Sequence, residues 1–530
     1  MIYQILGKYL TLLSLLLCLP LAMAGYYEFL APQAHPQPHS TRAFLAALLI
    51  ALAISGLFRI LGRRPHDTFY RRESILAVVL IWLATSVIGS LPFTFSGTLK
   101  NPLDAYFEAM SGLTTTGVTL LCPKAYDPIT LEEHPVYITN PQIPTSTYSY
   151  YGTVEPIRDP TTGLVLYSGI EAVSRAVLFW RSLLQWIGGI GIIAIFLYIL
   201  PALGVGGKFL YQMEMTGPVK DGIAPRIQNT ANFLLRVYLF FTLAQIALLL
   251  WAGLPPFDAL CTSLSTISTG GFAVRNDSIA SYGNPLAEWI IVLFMVLGSI
   301  NFSLYFHAYR FKFYKIFVPD FLLFLAIALL GCLAVTLPLL STHTLGFAIR
   351  EGFFQALSVQ TTTGFFTANY DLWPFASQMF MLLLMFVGGM SGSTAGGIKT
   401  SRFYILYKIV LHRLESLYRP DSVRKLTIGD AEIDDKSSLT VASFFCIVAF
   451  FTVLGTVGLV LDGVDPETAL GLVASLMNNV GLAFRGAGPT DTVAFLSPFS
   501  KILSLCWMLL GRLEFYVVLL LFLPSYWRSR

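Results

Sequence analysis

Apolar stretches long enough to cross a bilayer as helices recur along almost the whole chain, near residues 4–24, 43–62, 74–96, 176–200, 232–254, 286–309, 318–340, 376–410, 437–461 and 496–527. A helix rising 1.5 Å per residue needs about 20 such residues to cross ~30 Å of hydrocarbon. Backbone in that medium must satisfy its own hydrogen bonds, and runs of this length do so as helices. The sequence therefore predicts an all-α integral membrane protein of about ten transmembrane helices. Composition agrees: 55% of the residues are hydrophobic and 12% charged, against roughly a quarter charged in soluble domains, and the mean hydropathy is +0.68.

Positive charge orients the spans, because Lys and Arg collect in cytoplasmic loops. Arg63, Arg64, Arg71 and Arg72 follow the second span, and Arg310, Lys312 and Lys315 follow the sixth. Lys408, Arg413, Arg419, Arg424, Lys425 and Lys436 lie between the eighth and ninth. These loops alternate correctly, which puts both termini in the cytoplasm. The opposite face holds the segment 120–175, rich in Pro, Thr and Tyr, where Asp127, Glu132, Glu133, Glu155, Asp159 and Glu171 outweigh Lys124 and Arg158. The N-terminus reads two ways: Lys8, the apolar run to Leu21 and Ala22-Met23-Ala24 suit a cleaved secretory signal as well as a first span. Either leaves the later spans in the same orientation. The net charge of +4 is small for this length and the basic residues collect in particular loops instead of forming a stripe, so nucleic acid is not an expected partner. The six cysteines stand singly without metal or disulfide spacing, so most read as packing residues.

Between alternate pairs of spans lie outward-facing segments too short and too polar to cross. They read Ser-Gly-Leu-Thr-Thr-Thr-Gly-Val (111–118), Ser-Thr-Ile-Ser-Thr-Gly-Gly-Phe (265–272), Ser-Val-Gln-Thr-Thr-Thr-Gly-Phe (358–365) and Ser-Leu-Met-Asn-Asn-Val-Gly-Leu (475–482). The four align without a gap. A single copy would be a turn; four, each after a short helical run, are an internal repeat. The chain accordingly divides into a two-helix unit (1–70) and four helix, pore loop, helix repeats around a central pore, at 71–205, 206–316, 317–432 and 433–530. A dehydrated alkali cation needs a ring of oxygens in place of its water, and backbone carbonyls supply them where the chain turns them inward. Glycine permits that turn, and hydroxyl and amide side chains add oxygens or braces. The candidate filter is Thr114, Thr115, Thr116 and Gly117; Ser268, Thr269, Gly270 and Gly271; Thr361, Thr362, Thr363 and Gly364; Asn478, Asn479, Val480 and Gly481.

These four loops resemble the selectivity filters of the Trk/Ktr/HKT superfamily of potassium transporters. Further matching stretches are Phe179-Trp180-Arg181-Ser182-Leu183-Leu184-Gln185-Trp186-Ile187-Gly188-Gly189, the run from Gly388 to Lys399, and Gly511-Arg512-Leu513-Glu514. The two spans before the first repeat favour the bacterial TrkH/TrkG branch. The resemblance implies potassium uptake across a bacterial cytoplasmic (inner) membrane, a homodimer, and a peripheral cytoplasmic regulatory subunit of TrkA type. That subunit would bind NAD(H), ATP or ADP, with no cofactor in this chain. In plant HKT relatives serine at the first filter position accompanies sodium transport, and Gly117 here favours potassium. Two departures stand out: the insertion after the first filter is long, and the fourth loop continues Gly481-Leu482-Ala483-Phe484 where the family pattern has proline and glycine nearby.

Residues 388–399 should break the eighth span, since each glycine inside a helix costs about 1 kcal/mol relative to alanine. By resemblance this loop is the gate beneath the filter, with Gly392, Ser393, Thr394, Gly396, Gly397 and Lys399 in it; the alternative is close helix packing through small residues. A nucleotide P-loop is rejected, because Ile398 breaks the spacing and no strand precedes it. Arg512, deep in the last apolar run, matches the family arginine below the filter; the alternative is snorkelling to an interface. Glu514, two places on, points elsewhere on a helix. Arg175 and Arg181 read as structural or interfacial and not as ion ligands, and Trp180, Trp186, Trp373 and Trp527 as an interfacial belt. The seven histidines fall in loops or at span ends without metal spacing, which opposes an intramembrane enzyme. Repeats of one orientation oppose an inverted-repeat transporter. A sodium-permeable or ion-coupled pore of the same superfamily stays open.

Overall fold

The computed structural model describes residues 2–31, 38–63, 71–127, 130, 132–139, 147–159, 161–191, 227–418, 426–428, 431–433 and 435–528. Among the described residues, six helices are long and apolar enough to cross a membrane unbroken: Ile2–Leu30, Thr41–Leu61, Ile75–Phe95, Asn232–Trp251, Pro319–Leu339 and Ser438–Leu461. Two more spans are bent, Pro285–Ser299 with Phe302–Tyr309 by 96° and Pro498–Leu513 with Phe515–Phe522 by 115°. The apolar run 376–410 divides into Phe375–Phe386 and Thr400–Tyr418. Arg175–Gly189 begins the remaining span, whose continuation at 192–200 lies outside the described residues, as do Arg64, Arg419, Arg424 and Lys425. Nine of the ten expected spans thus lie within the described residues and the tenth in part, with three interrupted where hydropathy alone predicted one interruption.

Each bend has a local cause. At residue 301 a single polar side chain ends one helix and starts the next: Asn301 Oδ1 accepts from the amide of Ser303 at 2.8 Å. At residue 514 the backbone enters the left-handed half of φ space (φ 63°), which a helix cannot continue through.

Four shorter helices sit between paired spans: Pro102–Leu113, Pro256–Ile267, Leu345–Gln360 and Pro466–Asn478. They are called half-helices below. Three begin on proline, whose fixed φ suits the first helical position, and Asn101 and Asp465 cap the amides of Leu103 and Thr468. The C-terminal ends of all four lead directly into the repeated loops.

The outer insertion folds as three antiparallel hairpins, Ala125–Tyr126 with Glu133–His134, Val136–Thr139 with Thr147–Tyr150, and Ile157–Arg158 with Val165–Tyr167. It is docked on the fourth repeat: the Tyr148 hydroxyl donates to Asp465 Oδ2 at 2.6 Å, and its ring stacks on Phe495 at 4.4 Å.

The tryptophan belt needs correction. Trp180 is fully buried, with Nε1 donating to the Gly89 carbonyl at 2.9 Å, and Trp373 is buried too. Trp527 is exposed as expected. The helix carrying Trp180 is enclosed by neighbouring helices, which places the ring against protein instead of headgroups.

The two N-terminal helices pack through Gly7. A Cβ there would lie 2.9 Å from Arg59 Cγ and 3.1 Å from the Ser55 carbonyl, and Ser55 Oγ donates to the Gly7 carbonyl at 2.7 Å. Gly7→Leu is expected to cost about 1–3 kcal/mol by overpacking, read as a lower thermal midpoint in detergent. Gly25→Leu, where nothing lies within 4 Å of the added Cβ, is expected to leave the midpoint unchanged.

Candidate functional site

The four loops share one backbone. Thr115, Thr269, Thr362 and Asn479 have φ of 55°, 52°, 56° and 54°, and the glycines two places on have φ of 85°, 77°, 84° and 90° at Gly117, Gly271, Gly364 and Gly481. Three β-branched residues in the left-handed region are outliers that only surrounding structure can hold. In every loop the carbonyl of the leading serine accepts from the residue before the glycine: Thr116 to Ser111 at 2.9 Å, Gly270 to Ser265 at 2.8 Å, Thr363 to Ser358 at 2.9 Å and Val480 to Ser475 at 2.9 Å.

The loops close on one another as a ring. A Cβ on Gly117 would stand 2.3 Å from the Gly270 carbonyl oxygen, one on Gly271 2.0 Å from that of Thr363, one on Gly364 2.1 Å from that of Val480, and one on Gly481 2.2 Å from that of Thr116. Each glycine thus receives a carbonyl of the next repeat, in the order one, two, three, four and back to one. The C-terminal ends of the half-helices, which carry the negative end of the helix dipole, meet this ring.

The polar side chains divide into roles. Thr114, Ser268, Thr361 and Asn478 turn back to their own half-helix, donating to the carbonyls of Met110, Leu264, Leu357 and Ala474 at 2.6–2.8 Å. Thr116 and Thr363 hydroxyls bond to those of Thr114 and Thr361 at 2.8 Å. Asn479 Nδ2 crosses a repeat boundary to Thr116 Oγ1 at 2.9 Å. Gln185 clamps the second loop from behind, donating to the Gly270 carbonyl at 2.6 Å and accepting from the Phe272 amide at 3.0 Å.

On the inner side, residues 387–399 form the loop that interrupts the third repeat. The amide of Gly396 donates to Thr362 Oγ1 at 2.7 Å, and Thr394 Oγ1 donates to the Ile267 carbonyl at 3.0 Å and the Gly298 carbonyl at 2.9 Å. The amide of Met390 bonds to the Ser299 carbonyl at 3.0 Å and that of Phe302 to the Gly392 carbonyl at 3.1 Å, so the loop fills the bend of the second repeat. Lys399 Nζ bonds to the Ala395 carbonyl, and Gly397 has φ 70°. Ser393 Oγ donates to the Met390 carbonyl at 2.6 Å. Arg512 donates to the carbonyls of Thr394 at 2.8 Å, Gly188 at 2.7 Å and Gly189 at 3.2 Å. It joins the loop to the first repeat. Glu514 accepts from Arg402 at 2.7 Å. A cavity of about 160 Å³ lies here, lined among others by Gly189, Ser393, Lys399, Arg402, Arg512 and Glu514.

Known proteins share this architecture. The family model of TrkH, a cation transport protein, matches residues 156–529. The Trk system potassium uptake protein TrkH of Salmonella typhimurium is 33% identical over 450 residues, 83% of each chain. The corresponding TrkG of Escherichia coli is 37% identical over 374 residues, 70% of this chain and 77% of that one. This chain belongs to the TrkH family. The crystal structure of the potassium transporter TrkH from Vibrio parahaemolyticus superposes with a TM-score of 0.79 at 29% identity over 99% of both chains. As a TrkH-family member with this set of apolar helices, the chain is a multi-pass bacterial inner-membrane transport protein and not an enzyme.

In this TrkH-family chain, eight of the sixteen residues singled out from sequence make the contacts between loops, Gly117 with Gly270, Gly271 with Thr363, Gly364 with Val480 and Gly481 with Thr116, the other eight lie beside them in the same four segments, and the loop 387–399 meets Arg512 at Thr394. Sequence reasoning missed the acidic residues of the half-helices, two on the first, Asp104 and Glu108, and one on each of the others. Glu108 accepts from Thr119 Oγ1 at 2.9 Å and the Leu120 amide at 3.0 Å, Asp258 from Arg275 at 3.1 Å, Glu351 from Thr367, and Glu467 from Arg485 at 2.8 Å. A carboxylate in the short run before each repeated loop was the available signal. In the segments that follow the third and fourth loops, burial pushes Asp371 up to about 7 against the pull of Arg485, and burial pushes Asp491 up to about 6. Gln185 also went unassigned. Gln185→Leu would leave the Phe272 amide without its buried acceptor and the Gly270 carbonyl without its donor, at about 1–3 kcal/mol each. A lower thermal midpoint is expected, and Gln185→Glu, which retains the acceptor, is expected to fall between.

Proposed function

We propose that this chain is the ion-translocating subunit of a Trk-type potassium uptake system, with the four-loop ring as its selectivity filter. The ring closure carries the reading: four backbones held carbonyl against glycine offer fixed oxygens where four negative helix ends converge, the arrangement that replaces the water of a dehydrated cation. Potassium is the ion named for the relatives from Salmonella typhimurium and Escherichia coli, and Gly117 at the first filter position supports it.

The loop at 387–399 is the gate. It presses on the inner ends of the second, third and fourth loops, and the Arg512 guanidinium tethers it while standing as a positive charge below the filter. Displacing loop and arginine together opens the path. The chain works as a homodimer with both termini in the cytoplasm. A peripheral subunit of TrkA type, binding NAD(H), ATP or ADP, docks on the cytoplasmic loops; the exposed Phe311 and Tyr314 among Arg310, Lys312 and Lys315 support that site. The nucleotides act through that subunit alone.

Purified protein in liposomes is expected to take up potassium or rubidium in preference to sodium, and Gly364→Ser to relax or abolish the preference. Equal flux of both ions in the intact protein would keep the pore and overturn the assignment to potassium. No alkali-cation flux, even with the regulatory subunit and nucleotides, would sink the pore. Arg512→Gln, which removes the charge and loosens the tether at Thr394 and Gly188, is expected to raise potassium flux measured without the regulatory subunit.

A further inference from the structure

Outside the glycine ring lies a second ring, made of charge. The seam between repeats one and two is crossed by Arg181. Its Nε donates to Glu108 of the first half-helix at 2.9 Å, its Nη1 to the Ala273 carbonyl of the second repeat at 3.2 Å, and its guanidinium lies 4.0 Å from the Phe272 ring centroid. At the seam between two and three, Arg350 of the third half-helix approaches Glu288 of the second repeat at 3.4 Å and pairs with Glu351 at 2.7 Å. Arg485 of the fourth repeat joins Glu467 of its own half-helix at 2.8 Å to Asp371 of the third repeat at 3.3 Å, and its amide donates to the other Asp371 oxygen at 3.0 Å. Lys501 of the fourth repeat donates to Asp104 of the first half-helix at 2.7 Å.

The four contacts follow one rule. Each links the outer half of the second span of one repeat, or the segment leading into it, with the half-helix or loop of the next. They run in the same rotational order as the glycine contacts. A chain of four unequal repeats has no symmetry to equalise its seams, so each needs its own bracket. Arg181, Arg485 and Lys501 are largely buried, where a charge persists only with partners. The Arg350 side chain is 38% exposed, so solvent weakens that seam most.

We propose that Arg181, Arg350, Arg485 and Lys501, each at a different seam, are positioning residues that hold the four loops at the ring width on which ion selectivity depends. None of them supplies an oxygen to an ion; they act through the half-helices and outer loops that carry the filter. The proposal rests on the potassium filter reading given above.

The test measures potassium and sodium flux in liposomes, at a pH above the titration of Asp371, for the intact chain and for Arg485→Gln, Lys501→Gln and Arg350→Gln. Arg485→Gln and Lys501→Gln are expected to lower the potassium-to-sodium ratio roughly tenfold, the scale on which a small misfit of a binding site acts, and Arg350→Gln less. Reversing a seam, with Lys501→Asp and Asp104→Lys together, is expected to restore the ratio. A simple loss of folded protein would lower both fluxes in proportion and leave the ratio alone. Folded variants that keep the intact ratio, whatever their total flux, overturn the proposal. Arg350→Gln, at the most exposed seam, keeps that outcome reachable if the buried variants do not fold: an unchanged ratio in a variant that also has the Glu288 partner removed counts against it. An intact chain without potassium preference removes the filter reading itself, which is a separate result.

Discussion

A carbonyl oxygen standing where a side chain would begin is the contact on which the rest of this structure depends. At each of four glycines the neighbouring repeat fills the Cβ position to within 2.3 Å, a separation that no real Cβ sustains. The glycines are therefore fixed by their neighbours as much as by their own φ. The residues two places before them inherit a left-handed backbone that threonine resists. That strain is held by the serine carbonyls, the side chains folded back on the half-helices, and the acidic groups behind each loop. Every layer outward from the ring serves to keep four short pieces of irregular backbone covered, as the membrane requires.

Much of this was legible from residues alone. Span lengths followed from apolar runs, the shared backbone of the four loops from their gapless alignment, and the interruption of the third repeat from its glycines. The bends at residues 301 and 514 were not legible. Hydropathy averages over about twenty residues, and one Asn301 or one left-handed Glu514 does not lower that average enough to be seen. Nor could periodicity reveal contacts such as Tyr148 with Asp465 or Lys501 with Asp104, whose partners are hundreds of residues apart. Trp180 misled for a related reason: a tryptophan near a span end suits a lipid interface and a protein interior equally, and only its neighbours distinguish them.

The inner side departs from fourfold order. Among the described residues the third repeat carries the long interruption and the fourth carries Arg512, while the second contributes a bend that the loop occupies. The loop amides and hydroxyls are spent on carbonyls of other repeats, at Ile267, Gly298 and Ser299. Moving it would leave those groups without their partners, so any displacement of the loop must bring water to them.

Because the four quarters are one covalent chain, a substitution arrives at the ring once. In a ring assembled from four identical chains it would arrive four times, and only changes tolerable in quadruplicate would survive. Here a single quarter can drift, as the second has with Gly270 in place of a threonine and the fourth with its paired asparagines. Fusion of the repeats turns the ring into an object adjustable in single steps, and lets one side carry an interrupting loop that the other three do not share.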